Sequence, residues 1–193
     1  MRVIAGQYRS RPLQSLPGTD TRPTSDRLRE TLFNVLVAGN AEALRGTRWL
    51  DLFAGTGAVG IEALSRGAAQ VYFVDSSRAA AQVIRGNLKS LGIEDDGSVM
   101  QDEVRNALRR LDGEGARCDF CFLDPPYRQE QAYAATFDAL GRTRILEPGA
   151  IVIAEHDKRF DPGDGSGGLQ RYRTLKQGDA ALSFYRLGDL AIG

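Results

Sequence analysis

The sequence predicts an α/β fold: a mainly parallel sheet covered by helices on both faces, closed by a C-terminal antiparallel hairpin and preceded by a short N-terminal arm and helix. Three observations predict it. From Thr47 to Glu155, short apolar runs alternate with segments of helical period, the pattern of strands joined by helical crossovers. Asp51, Asp75, Asp102 and Asp124 each fall where one of those runs ends, and ligands in such sheets sit beyond the carboxyl ends of the strands. After Gly168 the alternation stops, and two strand-like runs, Arg171 to Leu175 and Ala181 to Leu187, flank the tight reversal Gln177-Gly178-Asp179.

The elements follow in order. Residues 1 to 22 form an irregular or short-stranded arm, because Tyr8 to Pro12 and Leu16-Pro17-Gly18 break any period. Ser25 is placed to cap a helix from Asp26 to about Val37, with Leu28, Leu32, Val35 and Leu36 on one face and Gly39 ending it. Arg27 and Arg29 fall off that stripe and are expected to face solvent or a ligand. Thr47 to Phe53 is the first strand, Ala58 to Arg66 a helix stopped by Gly67, and Gln70 to Asp75 the second strand. Ser76 or Ser77 caps a helix with Val83, Ile84, Leu88 and Leu91 on its stripe and Gly92 at its end. Ser98 to Gln101, Cys118 to Leu123 and Ala150 to Glu155 are further strands, with helices at Val104 to Leu111 and Ala132 to Leu140 and a turn at Pro148-Gly149. Gly163 to Gly168 is expected to be a flexible loop.

At 193 residues the chain fits a single domain spanning residues 1–193, with an arm and helix over 1–40 and a core over 41–193. Its 42% hydrophobic and 26% charged residues are ordinary for a globular protein. No apolar run reaches membrane-spanning length and no signal-peptide pattern opens the chain, so a cytoplasmic protein with no membrane partner is expected. The 25 basic and 25 acidic side chains cancel, but Arg2, Arg9 and Arg11 lie in a stretch without acids, and Arg22, Arg27 and Arg29 follow. Clustered arginine can form a phosphate-binding face on a neutral protein; the alternative is a solvated arm. Cys118 and Cys121 form a CxxC on a strand, where an i, i+3 pair points to opposite faces, and His156 is the lone histidine. No four-ligand zinc set can be assembled from these, so no metal is expected and the cysteines read as buried strand residues.

Two stretches carry chemistry. Trp49 to Gly60 reads as a buried strand ending in Asp51, then a glycine loop, then a helix start, where backbone can approach a ligand closely and free amides favour an electron-rich group. Gly55-Thr56-Gly57-Ala58-Val59-Gly60 also satisfies the dinucleotide fingerprint, with Asp75 at the distance of a ribose contact. Against that reading, Asp51 would repel a pyrophosphate, whereas it would attract the ammonium or sulfonium of S-adenosylmethionine. Asp124-Pro125-Pro126-Tyr127 is a rigid, acceptor-rich turn. The Asp124 carboxylate and the Pro125 carbonyl could each accept one hydrogen of an exocyclic amine, and Tyr127 offers a ring for stacking an extruded base. The plainer alternatives are a mere proline turn for the motif and a core or rim aromatic for Tyr127.

A C-terminal hairpin on a parallel sheet resembles the S-adenosylmethionine-dependent class I methyltransferases, which implies a Rossmann-like fold with a seven-stranded sheet. Arg22 to Asn34, Asp51 to Gly57, Glu62 to Ala68, Phe122 to Tyr127 and Glu155-His156 together closely resemble the bacterial small-subunit ribosomal RNA guanine 2-amino methyltransferase family. That resemblance implies S-adenosylmethionine as donor and one guanine of 16S rRNA, free or in the small ribosomal subunit, as acceptor, with the arginine-bearing N-terminal segment near cofactor and RNA. A departure is Asp75, where the family more often carries glutamate.

The candidate catalytic set is Asp124, Pro125, Pro126 and Tyr127. The candidate cofactor set is Thr24, Asp51, Ala54, Gly55, Thr56, Gly57, Asp75, Ser76, Asp102, Glu103 and Asp124, with Asp75 on the ribose, Asp102 on the adenine amine, and Asp51 with the Gly55 to Gly57 backbone at the methionine end. The candidate RNA face is Arg2, Arg9, Arg11, Arg22, Arg27 and Arg29, on a protein expected to be a monomer. A DNA adenine or protein glutamine methyltransferase would share the Asp-Pro-Pro-Tyr turn, and a catalytically silent RNA-binding module would share the fold.

Overall fold

The computed structural model describes residues 1–16, 25–126 and 129–188. Its elements are α1 (Asp26–Leu36), β1 (Arg48–Leu52), α2 (Ala58–Ser65), β2 (Gln70–Asp75), α3 (Arg78–Leu91) and β3 (Gly97–Gln101), then α4 (Val104–Gly113), β4 (Cys118–Leu123), α5 (Gln131–Gly141), β5 (Leu146–Asp157), β6 (Leu169–Gln177) and β7 (Ala180–Leu187). The seven strands form one sheet in the order β3-β2-β1-β4-β5-β7-β6. Neighbours from β3 to β5 pair in parallel, while β7 runs antiparallel to both β5 and β6. The strand order reverses between β1 and β4, and the crevice beyond their carboxyl ends is where a sheet of this kind takes its ligand.

Each face of the sheet has its own core. On one side α1, α2 and α3 bury Leu32, Phe33, Ile61 and Ile84 against Trp49, Phe73 and Phe122. Trp49 is stacked between Phe33 and Phe120, with ring centroids 5.5 and 4.6 Å away. On the other side α4 and α5 bury Leu108, Leu111, Phe137 and Leu140 against Leu50, Leu52, Val74 and Leu123. Local chemistry sets the helix starts: Ser25 accepts from the Leu28 N–H at 3.1 Å and Ser77, not Ser76, from that of Ala80 at 3.3 Å. Gly60 lets α2 lie directly on β2, since a Cβ there would stand 2.4 Å from the Phe73 ring.

The arm is ordered by the core. It folds back on itself through Val3 N–H to Arg11 O at 3.0 Å and Leu13 N–H to Met1 O at 3.1 Å. Glu62 on α2, fully buried, accepts the N–H groups of Ile4 and Ala5 at 2.8 and 3.0 Å. Asn87 on α3 accepts the Gln14 N–H at 2.7 Å and donates to the Thr56 carbonyl at 3.0 Å, which ties the arm to the glycine loop.

Three expectations are corrected. The fifth strand begins at Leu146 rather than Ala150: its register against β4 passes from Cys118↔Leu146 to Phe120↔Ile151, so Glu147-Pro148-Gly149 is a bulge within it, with Gly149 at φ 84°. That irregularity breaks simple alternation, and Cys118 and Cys121 lie in the same core layer instead of on opposite faces. The Gly163 to Gly168 segment is pinned: Arg171 bridges Asp161 at 2.6 Å and Asp164 at 2.7 Å, the Tyr185 hydroxyl donates to Gly163 O at 2.9 Å, and a Cβ on Gly167 would stand 2.4 Å from Phe137 O. Among the described residues, no helix is long and apolar enough to cross a membrane.

Candidate active site

The loop after β1 is held by its neighbours on both sides. Asp51, only 2% exposed, accepts the Gly60 N–H at 2.9 Å and so fixes the first turn of α2. Asp75 at the end of β2 accepts the Gly55 N–H at 2.9 Å through one oxygen and the Ser77 N–H at 2.8 Å through the other. The Ala54 N–H donates to Val74 O at 3.0 Å. Between these ties the backbone passes through left-handed conformations at Phe53 (φ 58°), Gly55 (φ 56°) and Gly57 (φ 75°). Two are glycines, at no steric cost; Phe53 carries a side chain in that region, a strain that surrounding structure must enforce. The Phe53 ring packs against the core layer of Leu50, Leu52 and Val74.

Burial pushes the Asp51 carboxyl up to about 7; the Gly60 N–H opposes that shift and the nearby Asp75 charge adds to it. Asp102 extends the row of acids: its backbone N–H donates to Asp75 O at 3.2 Å and its carboxylate accepts from the Glu103 N–H at 2.8 Å and the Asn106 amide at 3.2 Å. Ser76 and Glu103 are exposed, while Ala54 is buried and Thr56 half-buried.

Asp124 ends β4 across the crevice, its N–H donating to Leu52 O at 3.4 Å. Its carboxyl lies well above the ordinary carboxylate range, first through burial, then through the charges of Glu155 and Asp51. Pro125 is buried and Pro126 exposed, with Pro126 O accepting the Gln129 N–H at 2.8 Å. Beyond them opens a cavity of about 300 Å³ lined by Asp124, Pro125, Tyr133, Glu155, His156 and Phe160 among others. Its floor is rigid: the Tyr133 hydroxyl donates to Glu155 O at 2.7 Å, and His156 pairs with the Ser183 hydroxyl at 2.9 Å. Glu155 was absent from the candidate set although the fifth strand expected from the sequence ends on it, as the earlier ones end at or beside Asp51, Asp75, Asp102 and Asp124; in the structure β5 runs on to Asp157. Tyr133 and Phe160 reach the cavity through tertiary packing alone.

The candidate set is thus divided. Asp51, Asp75, Asp102 and Asp124 converge on the strand ends with the Gly55 to Gly57 loop, whereas Thr24, Arg22 and Tyr127 lie outside the described residues. Arg2, Arg9, Arg11 and Arg27 are exposed, with Arg11 also donating to Ser90 O at 2.9 Å. Arg29 does not belong with them. It is 0% exposed, donates to Arg2 O and to the Asp26 carboxylate, and faces Glu62 at 3.8 Å, so no RNA can reach it. The acids of α2 and of the α1 start draw it inward where its helical position alone pointed to solvent.

Cys118 and Cys121 are buried free thiols; desolvation pushes Cys118 up to about 12 and raises Cys121 well above the ordinary thiol range, the setting of inert structural cysteines. Among the described residues no cluster of His, Cys, Asp and Glu is arranged to hold a metal.

The family model described as Conserved hypothetical protein 95 matches residues 1–186. The chain belongs to that family. YlbH of Bacillus subtilis is 36% identical over 186 residues, covering 96% of this chain and 98% of YlbH. Ribosomal RNA small subunit methyltransferase D of Haemophilus influenzae is 33% identical over 158 residues, covering 82% of this chain and 79% of that protein. Among solved structures, the Escherichia coli protein yhhF superposes with TM-score 0.78 at 32% identity, over 97% of each chain. The fold is therefore that of the class I methyltransferases, with the seven strands and terminal hairpin that the sequence led us to expect.

Proposed function

We propose that this chain transfers the methyl group of S-adenosylmethionine to the exocyclic 2-amino group of one guanine in 16S rRNA. The observation that carries the reading is the position of Asp124: a half-buried carboxyl beside Pro125, between the glycine loop and a cavity of about 300 Å³. Kinship with methyltransferase D of Haemophilus influenzae supports small-subunit ribosomal RNA as the acceptor.

The residues present fit the donor. Asp51 and Asp124 are carboxyls that burial and neighbouring acidic charge hold above their ordinary range, and a cationic ligand relieves that repulsion. The methionine end would be held by the Gly55 to Gly57 backbone near Asp51, the ribose by Asp75 and the adenine amine by Asp102. Gln14, Thr56 and Asn87 form the tie by which residues 1–40 would cover that site, as part of a single domain with 41–193. S-adenosylmethionine supplies an electrophilic methyl group when bound.

Asp124 and the Pro125 carbonyl would each accept one hydrogen of the guanine amine, orienting its lone pair toward the methyl. As positive charge grows on nitrogen these placed acceptors stabilise it, by about 3 kcal/mol for one such group in other enzymes. Asp124, whose carboxyl holds a proton more readily than usual, would take the proton that the amine sheds on gaining the methyl group. Tyr127 would stack on the base, and Arg2, Arg9, Arg11 and Arg27 would engage phosphates. A monomer acting in the cytoplasm completes this reading.

The test is transfer of labelled methyl to small ribosomal subunits, and separately to their naked RNA, from cells lacking the gene. Label in a 2-methylguanine at one mapped position is the expected result. No label on either RNA, with cofactor binding intact, turns the assignment to a DNA adenine, a protein glutamine or a silent RNA-binding protein.

A further inference from the structure

We propose that the edge strand β6 carries a second RNA contact: Tyr172, flanked by Arg173 and Arg186, is a platform on which an unpaired base of the small-subunit rRNA stacks. This rests on the reading of that RNA as the substrate and adds a place where the protein grips it away from the reacting guanine.

β6 is the outermost strand of the sheet. Against β7 it pairs Arg171 with Tyr185 and Arg173 with Phe184, which leaves Tyr172 as an extra residue between them. A bulge of this kind re-aims side chains. Arg171 and Arg173 would share a face in a regular strand; instead Arg171 runs to Asp161 and Asp164 at 2.6 and 2.7 Å, while the Arg173 guanidinium lies 5.8 Å from the centroid of the Phe184 ring. Tyr172 goes with Arg173, its ring centroid 6.3 Å from that of Phe184.

Tyr172 is 48% exposed, the most exposed large hydrophobic among the described residues. The Arg186 guanidinium sits 4.7 Å from its ring centroid, a cation–π pair that steadies the ring at the surface. Aromatic rings and guanidinium planes are both surfaces on which RNA bases stack. Charge agrees with that partner: β6 and β7 hold Arg171, Arg173, Lys176 and Arg186 and no acidic residue. Basic side chains on a sheet edge can serve to block edge-to-edge pairing, but an exposed aromatic works against that purpose.

The platform lies on the side of the sheet that the arm covers, since Phe184 belongs to the core layer of Val3 and Leu13. The arm is anchored on α2 and α3, which pack over β1 and β2. From those strands to β6 is four to five strand spacings, roughly 20 to 24 Å. That span is several nucleotides long, so one RNA can meet both the arginines of the arm and this platform.

Filter binding to naked 16S rRNA and to small subunits, both from cells lacking the gene, tests the contact. Tyr172→Leu keeps an apolar cover over Phe184 and removes the ring; it should weaken binding to naked RNA roughly 5- to 100-fold, the range of one stacked base. Tyr172→Phe should bind as wild type does. Arg173→Gln with Arg186→Gln should lower the slope of log K against log salt by about 0.7 to 0.9 for each phosphate released. All three proteins should bind S-adenosylhomocysteine in calorimetry as wild type does. Wild-type affinity for naked RNA in Tyr172→Leu overturns the proposal, and so does a loss confined to assembled subunits, which would assign the platform to a ribosomal protein. Where Tyr172→Leu loses cofactor binding as well, the arginine variant decides, and an unchanged salt slope there overturns the proposal. Failure of wild type to methylate either substrate overturns the functional reading itself, and this inference with it.

Discussion

Glu62 lies 3.8 Å from Arg29 with neither side chain exposed to solvent, and the pair joins α1 to α2 beneath the N-terminal arm. Burial lowers the Arg29 pKa, and the charges of Asp26 and Glu62 oppose that shift. Glu62 also receives Ile4 and Ala5 N–H and the Arg66 guanidinium, the last at 2.8 Å. Glu62→Ala would leave the buried Arg29 charge to Asp26 and release the arm, at a cost of about 3 kcal/mol. Urea unfolding with limited proteolysis at residues 1–12 reads both effects; a loss below about 1 kcal/mol with an intact arm contradicts the role.

Asp51 makes stability depend on pH in a stated direction. Its carboxyl is raised from 3.8 to about 7, so between those values the native state binds more protons than the unfolded chain. The contribution is fully present below about pH 4 and is lost as pH rises to about 7. Asp51→Asn removes the titration and keeps an acceptor for Gly60, so its stability relative to wild type should rise across that window, by up to roughly 4 kcal/mol. Parallel unfolding curves at every pH would contradict the assignment.

Asp124→Ala should lower methyl transfer by at least roughly 100-fold, with a much smaller loss of S-adenosylmethionine affinity because Asp51 and the glycine loop remain. Acid protonates the acceptor, and because burial and then Glu155 raise its pKa, the rate should fall on acidification from above the ordinary carboxylate range. Single-turnover rates across pH, with calorimetry of the variant, check both. Joint loss of affinity and rate would make Asp124 a structural residue.

Gly60 and Gly55 should separate packing from ligand approach. A Cβ at Gly60 meets the Phe73 ring at 2.4 Å and Val71 at 2.7 Å, so Gly60→Ala should cost about 1 to 3 kcal/mol of stability. At Gly55 nothing lies within 4 Å, but its φ of 56° disfavours a side chain. Gly55→Ala should cost about 1 kcal/mol and mainly weaken cofactor binding. Thermal denaturation with and without S-adenosylhomocysteine distinguishes the two patterns.

Replacing Arg9 and Arg11 with alanine should weaken RNA binding and lower the slope of log K against log salt by about 0.7 to 0.9 for each phosphate that the arm no longer neutralises. An unchanged slope in filter binding removes the arm from the RNA face.

Much of the architecture was legible locally. Gln70 to Asp75 and Cys118 to Leu123 form strands over the predicted residues, because a fully buried parallel strand needs an uninterrupted apolar run. The acids at the strand ends, the glycine loop and the Asp-Pro-Pro turn were equally plain. The bulge at Glu147 to Gly149 was not: Pro148-Gly149 signals a turn, and whether a turn leaves a strand or sits within it depends on the neighbour that pairs across it.

The sequence by itself determined the order of elements, the class of fold and the position of the ligand crevice, since hydrophobic period, cap residues and glycines act over a few residues. Only the tertiary structure decided that Arg29 is a buried strut, that Cys118 and Cys121 share a layer, and that Glu155 stands beside Asp124. Those facts depend on residues far apart in the chain. Arg29 turns inward because Glu62 awaits it on α2, and the pKa of Asp124 rises first through burial and then because β4 and β5 bring the Glu155 charge near it.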